Sequence, residues 1–150
     1  MKLRLLIVDD EKDFTDSLAE RLALRDFEVS RAYSGEEAVE LIKEYNYDVV
    51  ILDVAMPGMD GVQTLREIKN IKPLTEVIML TGHATVETAI EGMKLGAYDY
   101  LLKPTEIDDL VEKVQGAYAR KADQEERIRK AKMMRYFESP RAVLEDREDP

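Results

Sequence analysis

The chain has 150 residues, 45% hydrophobic and 36% charged, with 22 Lys+Arg against 32 Asp+Glu and a net charge of -10. That length suits one domain with an appendage, and the acidic balance argues against a domain that wraps a nucleic-acid backbone. The absence of cysteine excludes disulfide scaffolds, zinc-thiolate sites and thiol catalysis, and aliphatic runs of about four residues fall far short of a membrane span.

Leu5-Leu6-Ile7-Val8 is a continuous aliphatic run, as expected of a strand buried on both faces of a parallel sheet. Asp9-Asp10-Glu11 closes it too early for a signal peptide, so a soluble, cytoplasmic protein is expected. Phe14, Leu18 and Leu22, spaced by four, predict a first helix. Glu28 to Ala32 is a weaker strand, placed nearer a sheet edge. Ser34-Gly35-Glu36-Glu37 predicts a capping box ahead of a second helix carrying Ala38, Leu41 and Ile42. Val49 to Leu52 is a third strand. Val62, Leu65 and Ile68 mark a third helix starting at Asp60 or Gly61.

Val77 to Leu80 is a fourth strand, and Val86, Ala89, Ile90 and Met93 form a fourth helix ended by Gly96. Tyr98 to Leu102 is a fifth strand, stopped by Lys103-Pro104. Ile107, Leu110, Val111 and Val114 form a fifth helix entered through Thr105, whose hydroxyl is expected to cap it. Five strands alternating with five helices imply an α/β fold: a doubly wound five-stranded parallel sheet with helices on both faces.

Residues 1–115 carry 13 basic and 24 acidic groups, net -11, whereas 116–150 carry nine and eight, net +1. From Ala117 to Phe137 there is no Gly or Pro, and good helix formers dominate. The fifth helix is therefore expected to run on past the domain. This divides the chain into a domain over residues 1–120, a helical C-terminal extension over 121–138, and a disordered tail over 139–150 after a stop at Ser139-Pro140.

Ligands of such sheets sit at the carboxyl ends of the strands. The first strand ends in Asp9-Asp10, the third in Asp53, the fourth in Thr81-Gly82 and the fifth in Lys103-Pro104. Three carboxylates at one edge repel unless a cation joins them, and all-oxygen ligation suits Mg²⁺ or Mn²⁺. Open positions on such an ion are usually filled by phosphate oxygens, and a lysine and a threonine offer donors to more of them. An acid pair alone is common at strand ends as a helix cap. All five positions together describe phosphoryl transfer onto an aspartate.

These segments resemble the receiver domain of two-component response regulators. The resemblance rests on Leu5 to Glu11, on Val50-Ile51-Leu52-Asp53-Val54-Ala55-Met56-Pro57-Gly58-Met59-Asp60-Gly61, on Met79-Leu80-Thr81-Gly82-His83, and on Gly96 to Pro104. It covers about residues 1 to 120, and the last two segments are most similar to receivers that precede ATPase transcription activators, an output domain not expected in this sequence.

The resemblance implies a flavodoxin-like receiver with Asp53 as phosphoacceptor from a phosphohistidine of a sensor histidine kinase or phosphotransfer protein. It further implies Mg²⁺ bound by Asp10 directly, by Asp9 largely through water, by Asp53 and by the Ala55 carbonyl. Lys103 would pair with Asp53 and then with the phosphoryl group. Thr81 would bond a phosphoryl oxygen, and Tyr100 would follow by turning from exposed to buried. That motion would alter the face made by the fourth helix, fifth strand and fifth helix and reach an unknown downstream protein. The Lys103-Pro104 peptide is expected to be cis.

The resemblance places Ala55 and His83 beside a hydrolytic water, and neither offers a carboxamide or acid. Moderate-to-slow loss of phosphate follows, with His83 otherwise an exposed loop residue. In the tail, Ile128, Met133, Met134, Tyr136 and Phe137 are apolar, while five cations lie between Arg127 and Arg135. The heptad spacing lands on Lys121 and Gln124, which argues against a long coiled coil. The apolar cluster favours docking on the chain's own domain or on a second subunit, so a homodimer through this helix or through the fourth helix, fifth strand and fifth helix is expected. Net charge makes DNA binding the poorer expectation.

Two rivals remain. A metal-dependent phosphohydrolase needs a general acid near its nucleophile, and Val54 and Ala55 supply none. A detached regulatory part of a transcription activator would use the tail as a linker.

Overall fold

The computed structural model describes residues 2–138. Its elements alternate as β1 (Arg4–Val8), α1 (Lys12–Ala23), β2 (Glu28–Ala32), α2 (Gly35–Glu44), β3 (Val49–Leu52), α3 (Gly61–Ile71), β4 (Glu76–Thr81), α4 (Val86–Lys94), β5 (Asp99–Leu102) and α5 (Ile107–Glu138). The strands are all parallel in the order β2-β1-β3-β4-β5. Chain direction across the sheet reverses between β1 and β3, which opens a crevice at their carboxyl ends.

The continuous aliphatic runs are explained by burial on both faces. Leu6, Val8, Val50, Leu52, Val77 and Met79 pack with residues of α2 and α3. Their neighbours Leu5, Ile7, Val49, Ile51, Ile78 and Leu80 pack on the other side with α1 and α5. Each such side chain contributes about 1.5–3 kcal/mol on burial. β2 is an edge strand with one fully buried residue, Ala32, in agreement with its weaker apolar pattern.

Helix ends follow the sequence with two corrections. Asp60 caps α3 by accepting the Gln63 N–H at 2.9 Å, and Ser34 caps α2 by accepting the Glu37 N–H at 3.1 Å. The Glu37 carboxylate, however, reaches past Ser34 to the Tyr33 N–H, so the expected box is only half formed. A reciprocal box stands instead at α4, where Thr85 and Thr88 each accept the other's N–H. Thr105 does not cap α5, because its hydroxyl donates to the Leu102 carbonyl at 2.6 Å and is spent on the turn after β5. Gly96 ends α4 as expected, with Gly96 N–H bonded to Met93 and Ala97 N–H to Gly92.

Glu76, at the start of β4, is 1% exposed. The Arg120 guanidinium grips both its oxygens, and Lys69 Nζ lies 3.3 Å from one of them. Arg120 also stacks over the Tyr98 ring at 4.8 Å. α5 is thereby fastened to the sheet just where it leaves the domain, and it continues as one helix to Glu138. The expected stop at Ser139-Pro140 and the tail over 141–150 lie outside the described residues. Among those described, no helix is long and apolar enough to cross a membrane.

Candidate functional site

Strand register brings the site together. Val8 pairs with Leu52 across β1 and β3, so the residues that follow, Asp9 and Asp53, stand side by side. The ladder continues past the strand ends: Asp53 N–H donates to Val8 at 2.9 Å and Asp9 N–H to Ala32 at 3.1 Å. On the far side Thr81 pairs with Leu102, and Lys103 N–H donates to the Thr81 carbonyl at 2.9 Å. Asp9, Asp53 and Thr81 are buried, Lys103 is half-buried, and Asp10 is exposed. The carboxylate oxygens of Asp9, Asp10 and Asp53 lie within 4.8 Å of one another.

Asp9 has both oxygens engaged, one by the Glu11 N–H at 3.0 Å and one by Lys103 Nζ at 2.6 Å. Asp53 differs. Its Oδ1 is buried and has no hydrogen-bond partner among the described residues, which for a carboxylate is costly. Burial pushes the Asp53 carboxyl up from its ordinary value, the Asp9 charge adds to this, and Thr81, Lys103 and the Val54 N–H only partly oppose it. Asp9 is raised as well, chiefly by burial, against the pull of Lys103. Burial pulls the Lys103 ammonium down, yet its bond and charge interaction with Asp9, aided by Asp53 and Glu11, outweigh that and leave it raised.

The structure places Lys103 on Asp9, with Glu11 Oε1 at 3.3 Å, rather than on Asp53 as the resemblance implies. The nearest anionic oxygen decides the position, and Asp9 offers it. The Lys103–Pro104 peptide is cis, as expected. Tyr100 is already half-buried rather than exposed, because its hydroxyl bonds Thr88 of α4 at 2.8 Å. His83 is exposed, and its backbone N–H, not its ring, touches the site by donating to Thr81 Oγ1 at 3.1 Å. Ala55 is exposed and leaves the approach to Asp53 without a polar side chain at that position.

The loop after β3 is folded tightly against the site. A Cβ on Gly61 would lie 2.2 Å from the Asp53 carbonyl, so only glycine fits there, and Gly58 adopts φ of +73°. Glu36 of α2 pins this loop by accepting the Met59 N–H at 2.6 Å. Neither Glu36 nor Phe14, whose ring lies 4.0 Å beneath Lys103 Nζ, was singled out from the sequence for the site. In the sequence Glu36 reads only as part of a cap and Phe14 only as core stripe, since both contacts join segments distant in the chain.

The orphaned Asp53 oxygen, three converging carboxylates and an adjacent ammonium fit a hard divalent cation and an incoming phosphoryl group. The response regulator receiver domain family matches residues 5–115. The regulatory protein AtoC of Escherichia coli is 42% identical over 107 residues, 71% of this chain and 23% of that protein. The transcriptional regulatory protein ZraR of Salmonella typhimurium is 40% identical over 118 residues, 79% of this chain and 27% of that protein. The chain thus spans about a quarter of the length of these curated relatives.

Among solved structures, a CheY-like receiver domain protein from Methanospirillum hungatei superposes with TM-score 0.80 at 28% identity, covering 83% of this chain and 99% of that one. NtrX from Brucella abortus gives 0.81 at 32%, covering 88% of this chain and 31% of that one. With about three-quarters of its residues inside the family match and its strand ends carrying the acidic cluster, this chain belongs to the response regulator receiver domain family.

Proposed function

We propose that Asp53 is the phosphoacceptor of a phosphorylation-controlled switch. The observation that carries this is the buried, unpartnered Asp53 Oδ1 beside two further carboxylates and Lys103. A carboxylate oxygen of Asp53 attacks the phosphorus of a phosphohistidine on a sensor histidine kinase or phosphotransfer protein. An O–P bond forms, the N–P bond breaks, and the imidazole leaves, taking a proton from solvent.

Mg²⁺, or Mn²⁺, would be held by Asp9, Asp10, Asp53 and the Ala55 carbonyl, and would supply positive charge against the phosphoryl oxygens. Asp9, already oriented by the Glu11 N–H and Lys103, is suited to an indirect role, and exposed Asp10 to direct ligation. Once the phosphoryl group is on Asp53, it competes with Asp9 for the Lys103 ammonium. The Thr81 hydroxyl, buried at the end of β4, bonds another phosphoryl oxygen.

Tyr100 and Thr88 carry the change to α4. Thr88 bonds both Tyr100 and its capping partner Thr85, so displacement of one moves the other. The altered α4–β5–α5 face is what a downstream protein reads. The chain in this reading catalyses only its own phosphorylation and dephosphorylation, and acts in the cytoplasm. A second reading, a regulatory part of a larger transcriptional regulator, is favoured by the similarity to the regulatory protein AtoC and the transcriptional regulatory protein ZraR.

Intact-mass analysis after incubation with phosphoramidate, a small donor with an N–P bond, tests the proposal. One phosphoryl adduct that needs Mg²⁺ and is lost in Asp53→Ala is the expected result. No adduct, or an adduct that survives Asp53→Ala, overturns it.

A further inference from the structure

Phe14 opens the apolar stripe of α1 with Leu18 and Leu22 but does not share their burial. A helix that follows a parallel strand runs back across the sheet, so the first turn of α1 stands at the carboxyl edge, beside the site. Leu18 is 6% exposed and Leu22 fully buried, whereas Phe14 is half-buried at that edge. Thr15 fastens the turn: its buried hydroxyl donates to the Asp9 carbonyl at 2.9 Å, with the Glu11 carbonyl at 3.0 Å.

The face of the Phe14 ring carries the Lys103 ammonium, 4.0 Å from its centroid. A cavity of about 140 Å³ opens beside both, walled in part by Leu18, Leu80, Pro104 and Leu110. Apolar surroundings strengthen the attraction of a ring face for a cation. The other neighbours of the ammonium are anions: Asp9 Oδ2 at 2.6 Å, Glu11 Oε1 at 3.3 Å and, without a bond, the Asp53 carboxylate.

These contacts act differently when a phosphoryl group arrives. Asp9 and Glu11 compete with it for the ammonium, and their hold must be broken. The ring carries no charge and demands no donor direction, so its attraction persists while the ammonium turns from Asp9 toward Asp53. Lysine bears its charge on a flexible four-carbon stem, and fixing that stem costs rotamer freedom. A seat that restricts the stem beforehand removes part of that cost from the transfer step.

We propose that Phe14 is a positioning residue for phosphoryl transfer: its ring face seats the Lys103 ammonium and keeps it within reach of the phosphoryl oxygens after it leaves Asp9. This rests on the reading of Asp53 as phosphoacceptor. Phe14 acts only through Lys103. As a core residue alone it would be replaceable by another apolar side chain of similar size, whereas a seat needs an electron-rich ring.

Uptake of phosphate from phosphoramidate by the whole chain in Mg²⁺, timed by intact mass, tests this. So small a donor needs no docking surface, so the rate reports the chemistry of the site. Phe14→Leu is expected to slow uptake by roughly fivefold or more, and Phe14→Tyr by less than about twofold. In Lys103→Met, adding Phe14→Leu is expected to slow uptake no further. Phe27→Leu, a matched change in the same core cluster at the amino edge of the sheet, is expected to leave the rate unchanged even where Tm falls. Mono-, di- and trifluorophenylalanine in place of Phe14 withdraw electron density from the ring at nearly constant volume, and the rate is expected to fall stepwise along that series.

Equal rates in the wild type and Phe14→Leu overturn the proposal. So does a flat fluorinated series, or an undiminished effect of Phe14→Leu in Lys103→Met. Circular dichroism reports folding, and the fluorinated series carries the test if Phe14→Leu does not fold. A wild-type chain that takes up no phosphoryl group overturns the phosphoacceptor reading itself, and this role with it.

Discussion

Asp53 occupies a position that costs the fold stability. A buried carboxylate oxygen without a partner is penalised by about 1–3 kcal/mol. Because the Asp53 pKa is raised in the folded state, the folded chain holds the proton more tightly than the unfolded chain does. The penalty is therefore absent below the ordinary value of 3.8 and grows as pH rises through the raised folded value. Asp53→Asn is expected to raise Tm at pH near 7 by roughly 3–10 °C, and the gain should fade on acidification. A gain that is constant across pH, or a loss at neutral pH, would show that burial of charge is not what Asp53 contributes.

In the proposed switch, Ala55 would favour a long-lived phosphoryl group. With no polar side chain there, nothing at that position orients a water on the acyl phosphate. Ala55→Asn is expected to shorten the phosphoryl half-life severalfold, read by intact mass over time, and an unchanged half-life counts against this role. Residues of this kind were legible because each ends a strand or follows one within three positions. Glu36, Glu11 and Phe14 were not, since their roles arise only when loops far apart in the chain are brought together.

At the scale of elements, the strands were the easiest to read. A run such as Val49–Leu52 buries alternate side chains on opposite sides, so four consecutive aliphatics have one explanation. Caps were harder. The Thr85–Thr88 box lacks the acidic third residue that marks such a box in a sequence, and Glu37 had a competing N–H one residue back.

Glu76 was hidden for a related reason: an acid beside an aliphatic strand looks like its boundary until Arg120 is found across 44 residues. Arg120→Ala is expected to cost about 2 kcal/mol, less than a fully buried pair because Arg120 is partly exposed and Lys69 remains. Urea denaturation measures this. The loss should shrink when Glu76→Gln is added, and an undiminished loss would mean that packing against Tyr98, not the ion pair, is what Arg120 supplies.

For the whole molecule, an acidic domain of alternating layers carries its chemistry on one sheet edge and its exposed apolar surface on α4 and the end of α5. Phosphorylation can shift the domain only through contacts that differ between its two states. Those proposed are Lys103 leaving Asp9, Thr81 bonding the phosphoryl group, and the Tyr100–Thr88 link moving α4. The alternation that sets the architecture was visible in the sequence. The tie between Tyr100 and the α4 cap was not, because it depends on a side-chain contact between helix and strand.

The most direct test is amide hydrogen exchange on the chain with and without a small phosphodonor and Mg²⁺, with Asp53→Ala as reference. The account predicts altered exchange from the end of β4 through β5, centred on the α4 cap, with α1 and α2 unchanged and no response in the reference. Exchange that is identical in both states despite a phosphoryl adduct on Asp53, or that changes equally in Asp53→Ala, would contradict it.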